Sequence, residues 1–449
     1  MIHWIQCKSH ILPDCVGCFL FVIGLTLSQC EWIVPFVVGG WFILSGIFLF
    51  FYYWRNYSTL LNVKGIFGGI WFLTVGLAAL RIHPDQVKWS FLTWLCIGFF
   101  YLGVCIAYDV ISYVLRNIPE GKPFFKVGRY GIVLWGMLPI IGFVADVVYS
   151  GYIPMFSQEQ QAYMNFGMPF VHYLTVFSGV YPALALRVIR DKELSLSLRI
   201  CIGALILINV FIPFAIVSRQ LTLMQIVIAS IVFLVSYGVE RKIRFWHILV
   251  FVLICSIMFL VMSGMRHQSD AYIKEVFNLP VDTSSGEMLL WKLYMYIAFS
   301  FDNFNKLVVS STTFYWGAKS LYPFAVLIGL GGLMKYGFEV PIQFQILPTH
   351  NTFTALSTPY MDFGIVGVVI FAFLVGILAS LSENGVRLNY MNEEGVVAYG
   401  LIIYSIAISF FTDEFGLPVF WVYIGLLIVY RLFDILVYKT LSCSKNNNT

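Results

Sequence analysis

Two arginines and a histidine can do chemistry together in this chain. Arg219 lies in Val217-Ser218-Arg219-Gln220, Arg266 in Ser263-Gly264-Met265-Arg266-His267, and His350 in Pro348-Thr349-His350-Asn351-Thr352-Phe353. A guanidinium grips phosphate through two parallel N–H bonds and stays charged at any relevant pH. An imidazole, with an ordinary pKa of about 6.5, accepts a proton at neutral pH. The set suits a reaction in which a hydroxyl attacks and a diphosphate leaves. The arginines would carry the charge that develops on the leaving oxygen. His350 would take the proton of the attacking hydroxyl. His267, beside Arg266, is a further polar candidate.

Three distant stretches must meet for this chemistry, and composition says in what setting. Of the 449 residues 60% are hydrophobic and 11% charged, where ordinary globular chains are about 25% charged. Aromatic residues make up 18%, as expected where Trp and Tyr anchor helices at both membrane interfaces. The fold class read from this is an all-α polytopic membrane protein. The net charge of +4 is spread over loops and implies no nucleic-acid partner; the surrounding partner is membrane lipid. Cysteine is odd in number at 9 and lies mostly in apolar runs, as small hydrophobes rather than a disulfide framework. Lys8 ahead of an apolar run suggests a signal peptide, but Gln29 and Glu31 stand where cleavage needs small residues, so the run is read as a retained helix.

A spanning helix needs roughly 20 apolar residues. That length predicts about twelve spans, at 11–29, 32–54, 63–80, 89–115, 130–150, 168–187, 198–217, 220–239, 245–265, 362–382, 395–411 and 419–438. Arg55, Lys64, Arg116, Arg187, Arg199 and Arg244 fall on the side of the termini, whereas short loops opposite carry only Arg81, Lys88 and Arg219. By the positive-inside rule both termini are cytoplasmic. Residues 1–265 then hold nine spans, 266–361 a long outer loop, 362–438 three more spans, and 439–449 a disordered inner tail. Within the outer loop, Leu290, Leu293, Ile297, Phe301, Phe304 and Val308 predict an amphipathic helix. Leu321 to Met334 is apolar but too short to span, and reads as re-entrant or interfacial. Together these would form a lid over the outer mouth of the bundle, where Arg219, Arg266 and His350 converge by topology.

The other polar residues have plainer readings. Glu287, Asp302 and Asn303 are expected to be solvated, Asp362 to cap the tenth span, and Asp413 and Glu414 to face water. Asp109 and Asp146 lie inside spans near their ends, so each is expected to be paired or to line a cavity. There is no Asp-x-Asp, no His-Glu-x-x-His, no glycine-rich phosphate loop and no plausible metal cluster. That pattern argues against a metal-dependent nucleotide-sugar transferase and an ATP-driven pump; no cofactor and no metal is expected.

The chain resembles the Wzy-type O-antigen polymerases, also called oligosaccharide repeat unit polymerases. The resemblance rests on Val217-Ser218-Arg219-Gln220 entering an apolar helix and on Tyr296-Ile297-Ala298-Phe299-Ser300-Phe301-Asp302-Asn303. It rests above all on His350-Asn351-Thr352-Phe353-Thr354, Pro359-Tyr360 and Asp362-Phe363-Gly364-Ile365-Val366-Gly367. It implies a GT-C-like bundle with one long periplasmic loop in a bacterial inner membrane. It implies transfer of a growing glycan from undecaprenyl diphosphate onto a new lipid-linked repeat unit, with a chain-length regulator of the Wzz type as partner. His350 and Arg219 match the family's functional set by motif and Arg266 by position. Asn351, Asp302, Asn303 and Tyr360 are candidate sugar contacts. The Arg-x10-Gly pattern of some polymerases is absent: Ser230 follows Arg219 at that spacing and Phe277 follows Arg266. An O-antigen ligase would share side and residues. A lipid-linked oligosaccharide flippase is the non-enzyme alternative and would be expected to show two similar halves, which this sequence lacks. A membrane acyltransferase is the third.

Overall fold

A computed structural model describes residues 11–57, 59–119, 121, 131–159, 162–238, 243–266, 269–334, 340–347 and 350–446. Among them the regular elements are helices, with no strand. Hydrocarbon offers the backbone no hydrogen-bond partner, so long apolar runs must satisfy their own amides as helices. In chain order these are α1 (Ile11–Gln29), α2 (Pro35–Tyr57), α3 (Val63–Ala79), α4 (Phe91–Leu115) and α5 (Gly131–Ser150). Next come α6 (His172–Val176), α7 (Tyr181–Val188), α8 (Leu196–Ala215), α9 (Arg219–Tyr237), α10 (Phe245–Gly264) and α11 (Asp270–Val276). The rest are α12 (Ser285–Ser310), α13 (Ala318–Leu327), α14 (Ser357–Arg387), α15 (Glu393–Ala407) and α16 (Pro418–Asn446).

Among the described residues, 8 helices are long and apolar enough to cross a membrane: α2, α4, α5, α8, α9, α10, α14 and α16. The chain is therefore an all-α membrane protein. The four other runs give shorter helices. α1 and α3 are apolar but short, and α15 has 15 residues. The predicted span 168–187 is broken into α6, a 3-10 turn at Phe177–Gly179, and α7. Pro182 causes the restart: it has no amide to continue the ladder and sits in the first turn of α7. At the C-terminus α16 continues to Asn446, through most of the tail expected to be disordered, because 439–446 contains no Gly or Pro to stop it.

The helices sort into two compact units. Unit 1 comprises Met1–Ile118, Ile273–Asn384 and Ser405–Pro418; unit 2 comprises Pro119–Tyr272, Gly385–Tyr404 and Val419–Thr449. Most of the segment 266–361 falls within unit 1.

In unit 1, α2 and α3 lie backbone to backbone. A Cβ at Gly46 would stand 2.8 Å from Gly69 O, and one at Gly76 would stand 2.6 Å from Ile43 N. Small residues at seven-residue spacing on both helices allow that approach. Lys64, read as a loop cation, is instead wholly buried at the start of α3. It pairs with Asp14 at 2.8 Å and Asp109 at 2.6 Å, which supplies the pairing expected for Asp109. Tyr53 donates its hydroxyl to Asp14.

α12 is not a lid. Met295, Ala298, Phe299, Phe301, Phe304 and Leu307 are all fully buried, and Phe301 packs against Trp71 and Trp89 with ring centroids 5.5 and 5.6 Å apart. The predicted apolar stripe is rotated in the first half of the helix: Leu290 is exposed, while Met288, Lys292, Met295 and Phe299 face inward. Ser284 and Glu287 start α12 with a capping box, and Glu287 is solvated as expected. α13 is short, and Leu321 and Phe324 on it and Ile328 just after it are exposed. α14 is kinked at Phe363 and Gly364, the latter with φ +60 and ψ −142, a region open only to glycine.

Unit 2 is tied internally by polar groups. Asn209 Nδ2 donates to Gly136 O at 3.0 Å, and Gln225 Nε2 donates to Ser178 O at 2.8 Å. These bonds hold α5, α8, α9 and the Phe177–Gly179 turn together.

Candidate functional site

Arg219 and Arg266 are brought together in unit 2, around the turn between α8 and α9 and the end of α10. Pro213 near the end of α8 and Ser218 as the N-cap of α9 fix the turn; Ser218 accepts from Leu221 N. Between them Val217 is held at φ +54. A β-branched residue there is a true outlier, and such strain persists only where surrounding packing imposes it. Val217 packs in a cluster with Met258 and Met262 of α10, against Met155 and Tyr163.

Each guanidinium is seated on an aromatic face. Arg219 donates from Nη1 to Ser263 Oγ at 2.9 Å and lies 4.7 Å from the Phe259 ring centroid. Arg266 donates from Nη1 to Tyr163 Oη at 2.8 Å and from Nη2 to Val217 O at 3.4 Å, and lies 3.8 Å from the Tyr163 centroid. Aromatic faces of this kind orient the cations. His267 lies outside the described residues.

His350 belongs to unit 1 and does not lie open at a mouth. It is 3% exposed and walled by the rings of Phe277, Tyr296 and Phe299, at 5.7, 5.3 and 5.7 Å. Its Nε2 is 2.8 Å from Thr352 Oγ1, and the Met295 backbone also bonds the ring. Burial pushes its pKa down from 6.5 to about 4, with the Met295 bond opposing only part of that shift. A general base must reach the hydroxyl it deprotonates, and in this form His350 reaches Thr352. Its ring is bonded to its own loop at Thr352 and to the Met295 backbone. Asn303 completes the arrangement: Nδ2 donates to His350 O at 3.0 Å and Thr352 O at 2.8 Å, while Oδ1 accepts from Ile346 N at 2.7 Å.

The candidate sugar contacts separate accordingly. Asn351 is exposed beside His350. Asp302 and Asn303 are wholly buried rather than solvated. Asp302 accepts from Trp89 Nε1 and Gln86 Nε2, both at 2.7 Å. Burial pushes its pKa up to about 7 against those two bonds. Tyr360 is buried against Phe304. Asp362 does not cap its own helix. Its carboxylate accepts from Lys319 N at 3.0 Å, Ser320 N at 2.7 Å and Ser320 Oγ at 2.6 Å, and so caps α13. Asp413 and Glu414, expected in water, are buried. Burial raises the Asp413 pKa to about 7, opposed by hydrogen bonds from Thr358 and the Gly416 amide.

No family model, curated protein or solved structure matches the chain. The sequence reading also left Asp146 without a named partner. That partner is His172, whose ring is 2.8 Å away. The charge inside an apolar span signalled the pairing; the partner's identity was hidden because 168–187 reads as a continuous helix.

Proposed function

We propose that the chain transfers glycan between undecaprenyl-diphosphate-linked oligosaccharides at the periplasmic face of a bacterial inner membrane, polymerising repeat units of a surface polysaccharide. The observation that carries this reading is the seating of Arg219 and Arg266 together at the α8–α9 turn and the end of α10. Arg219 belongs to a short loop on the side poorer in cations, and the positive-inside rule supports a place outside for the pair. Two fixed, permanently charged guanidiniums at a membrane surface suit a lipid diphosphate as leaving group. They stabilise the negative charge that grows as the glycosidic bond to phosphate breaks. A chain-length regulator of the Wzz type is the protein partner in this proposal.

The test is the glycan profile of a deletion strain, read in both lipid-linked intermediates and finished polysaccharide. Single repeat units in place of a ladder are the expected result. Long chains stranded on the lipid carrier would instead identify a ligase, and repeat units trapped on the inner face a flippase. Complementation with Arg219→Ala should fail to restore the ladder at normal protein level. Arg219→Lys keeps the charge but loses the fork, so a full ladder from it would argue against two-pronged phosphate binding.

A further inference from the structure

Unit 2 holds a second polar assembly that the reading above does not use. Asp146, near the end of α5, is wholly buried. One carboxylate oxygen accepts from Met168 N at 2.8 Å. The other is 2.8 Å from His172 Nδ1 and accepts from Thr175 Oγ1 at 2.5 Å. A carboxylate gathering three donors acts as an acceptor only, so Nδ1 is a donor and, in the neutral ring, Nε2 holds the lone pair. The His172 side chain is 35% exposed. Since Nδ1 faces the buried carboxylate, the Nε2 edge is the part of the ring that can meet a ligand. A buried carboxylate that fixes the tautomer and direction of an imidazole is the arrangement of a general base.

The segment around the ring is shaped for it, and it reaches the arginines. Gly167 sits at φ +116, and a Cβ there would stand 2.6 Å from His172 Nδ1. Phe166 meets the imidazole edge-on at 6.2 Å. Phe170 is held at φ +64, a strained state of the kind kept at functional sites. The 3-10 turn Ala162–Asn165 carries Tyr163, on which Arg266 rests, and Phe166 follows the same turn. The dyad and the cation cradle thus both rest on one short stretch of backbone, Tyr163 to Phe166.

We infer that His172, oriented by Asp146, accepts the proton of a saccharide hydroxyl that attacks a glycosyl diphosphate held on Arg219 and Arg266. This rests on the glycosyl-transfer reading. The hydroxyl oxygen forms the new bond to the anomeric carbon. The carbon–oxygen bond to the diphosphate breaks, and its electron pair leaves on the phosphate oxygen. The hydroxyl proton moves to Nε2 and from there to water. His172 is the proton acceptor; Asp146 is a positioning residue.

The experiment uses full-length protein in membrane vesicles supplied with the host's own lipid-linked repeat units. His172→Asn keeps an amide N–H for Asp146 and removes Nε2. Its elongation kcat should fall by about 10²–10⁴-fold with KM little changed. Asp146→Asn should also lower kcat, with His172 still in place. Arg219→Ala serves as the reference. If His172→Asn elongates within about threefold of the wild type while Arg219→Ala fails, the inference is overturned and the broader reading stands. If both variants elongate normally, the broader reading falls as well. Carbethoxylation mapped by mass spectrometry gives an activity-independent check on the wild type. His172 should react while His350 does not, and an unreactive His172 overturns the inference.

Discussion

His350 and Asp302 lie in the same unit, and burial acts on them with opposite sign. His350 titrates at about 4 when folded against 6.5 unfolded. Between those values the unfolded chain binds the extra proton, so stability falls as pH drops through the window and is fully present above it. The loss is about 3 kcal/mol at most, at 1.4 kcal/mol per tenfold. Asp302 and Asp413 titrate at about 7 when folded. Their contribution is present below the ordinary carboxylate range and is lost as pH rises through 7. Thermal unfolding of purified protein separates the two effects. The deficit of His350→Gln relative to wild type should shrink as pH goes from 7.5 to 4.5. The deficit of Asp302→Asn should shrink in the other direction, from pH 5 to 8. A pH-independent difference for either variant would mean that the residue is not held in its neutral form. His350→Ala should lower stability by about 2–4 kcal/mol through the cavity and the loosened Asn303 bonds, so a loss of activity in it is not by itself proof of a catalytic role.

At the scale of elements, the kink in α14 and the cap on α13 form one device. Gly364 turns the chain so that Asp362 meets the first turn of α13 rather than its own helix. Gly364→Ala forces a side chain into a glycine-only conformation with a Phe314 ring atom 3.2 Å away. It should cost about 1–3 kcal/mol, read as a lowered melting temperature. Asp362→Ala should cost about 1–2 kcal/mol and raise hydrogen exchange selectively over Ala318–Leu327. Unchanged exchange there would show that the cap does not hold α13. The α2–α3 contact gives a sharper test, because the clash is with backbone. Gly76→Leu would press on Ile43 N and Gly39 O and should reduce the amount of folded protein recovered from membranes.

At the scale of the whole molecule the prediction is topological. Alternation of basic loops predicts both termini inside and Asn351 outside. A cysteine at exposed Asn351 should react with a membrane-impermeant maleimide in intact spheroplasts, and a fluorescent protein fused after the last residue should mature. Labelling only after lysis would reverse the orientation and remove the arginine pair from the periplasmic face. That result would leave the folds of the two units untouched, since nothing in their packing depends on which side is out.

Hydropathy and length set the helices, because a backbone in hydrocarbon has no alternative to its own hydrogen bonds. The runs read as 11–29 and 245–265 correspond to Ile11–Gln29 and Phe245–Gly264. The cost of charge inside an apolar run likewise announced that Asp109 and Asp146 must be paired or line a cavity, and both are paired. Periodicity failed where burial is not one-sided. α12 is enclosed over its second half, so Asp302 and Asn303 go inward with the aromatics, and no stripe in the sequence says so. Hydropathy could not show the break at Pro182, since a helix, a 3-10 turn and a restart have the same mean polarity. With that break went the identity of His172. The sequence determined that Arg219, Arg266 and His350 were chemically capable. Only tertiary structure decided that the arginines sit in an aromatic cradle in one unit, that His350 is sealed within the other, and that Asp146 holds a different imidazole by Nδ1. The physical reason is that capability belongs to a side chain, whereas access and partnership come from what the fold packs around it.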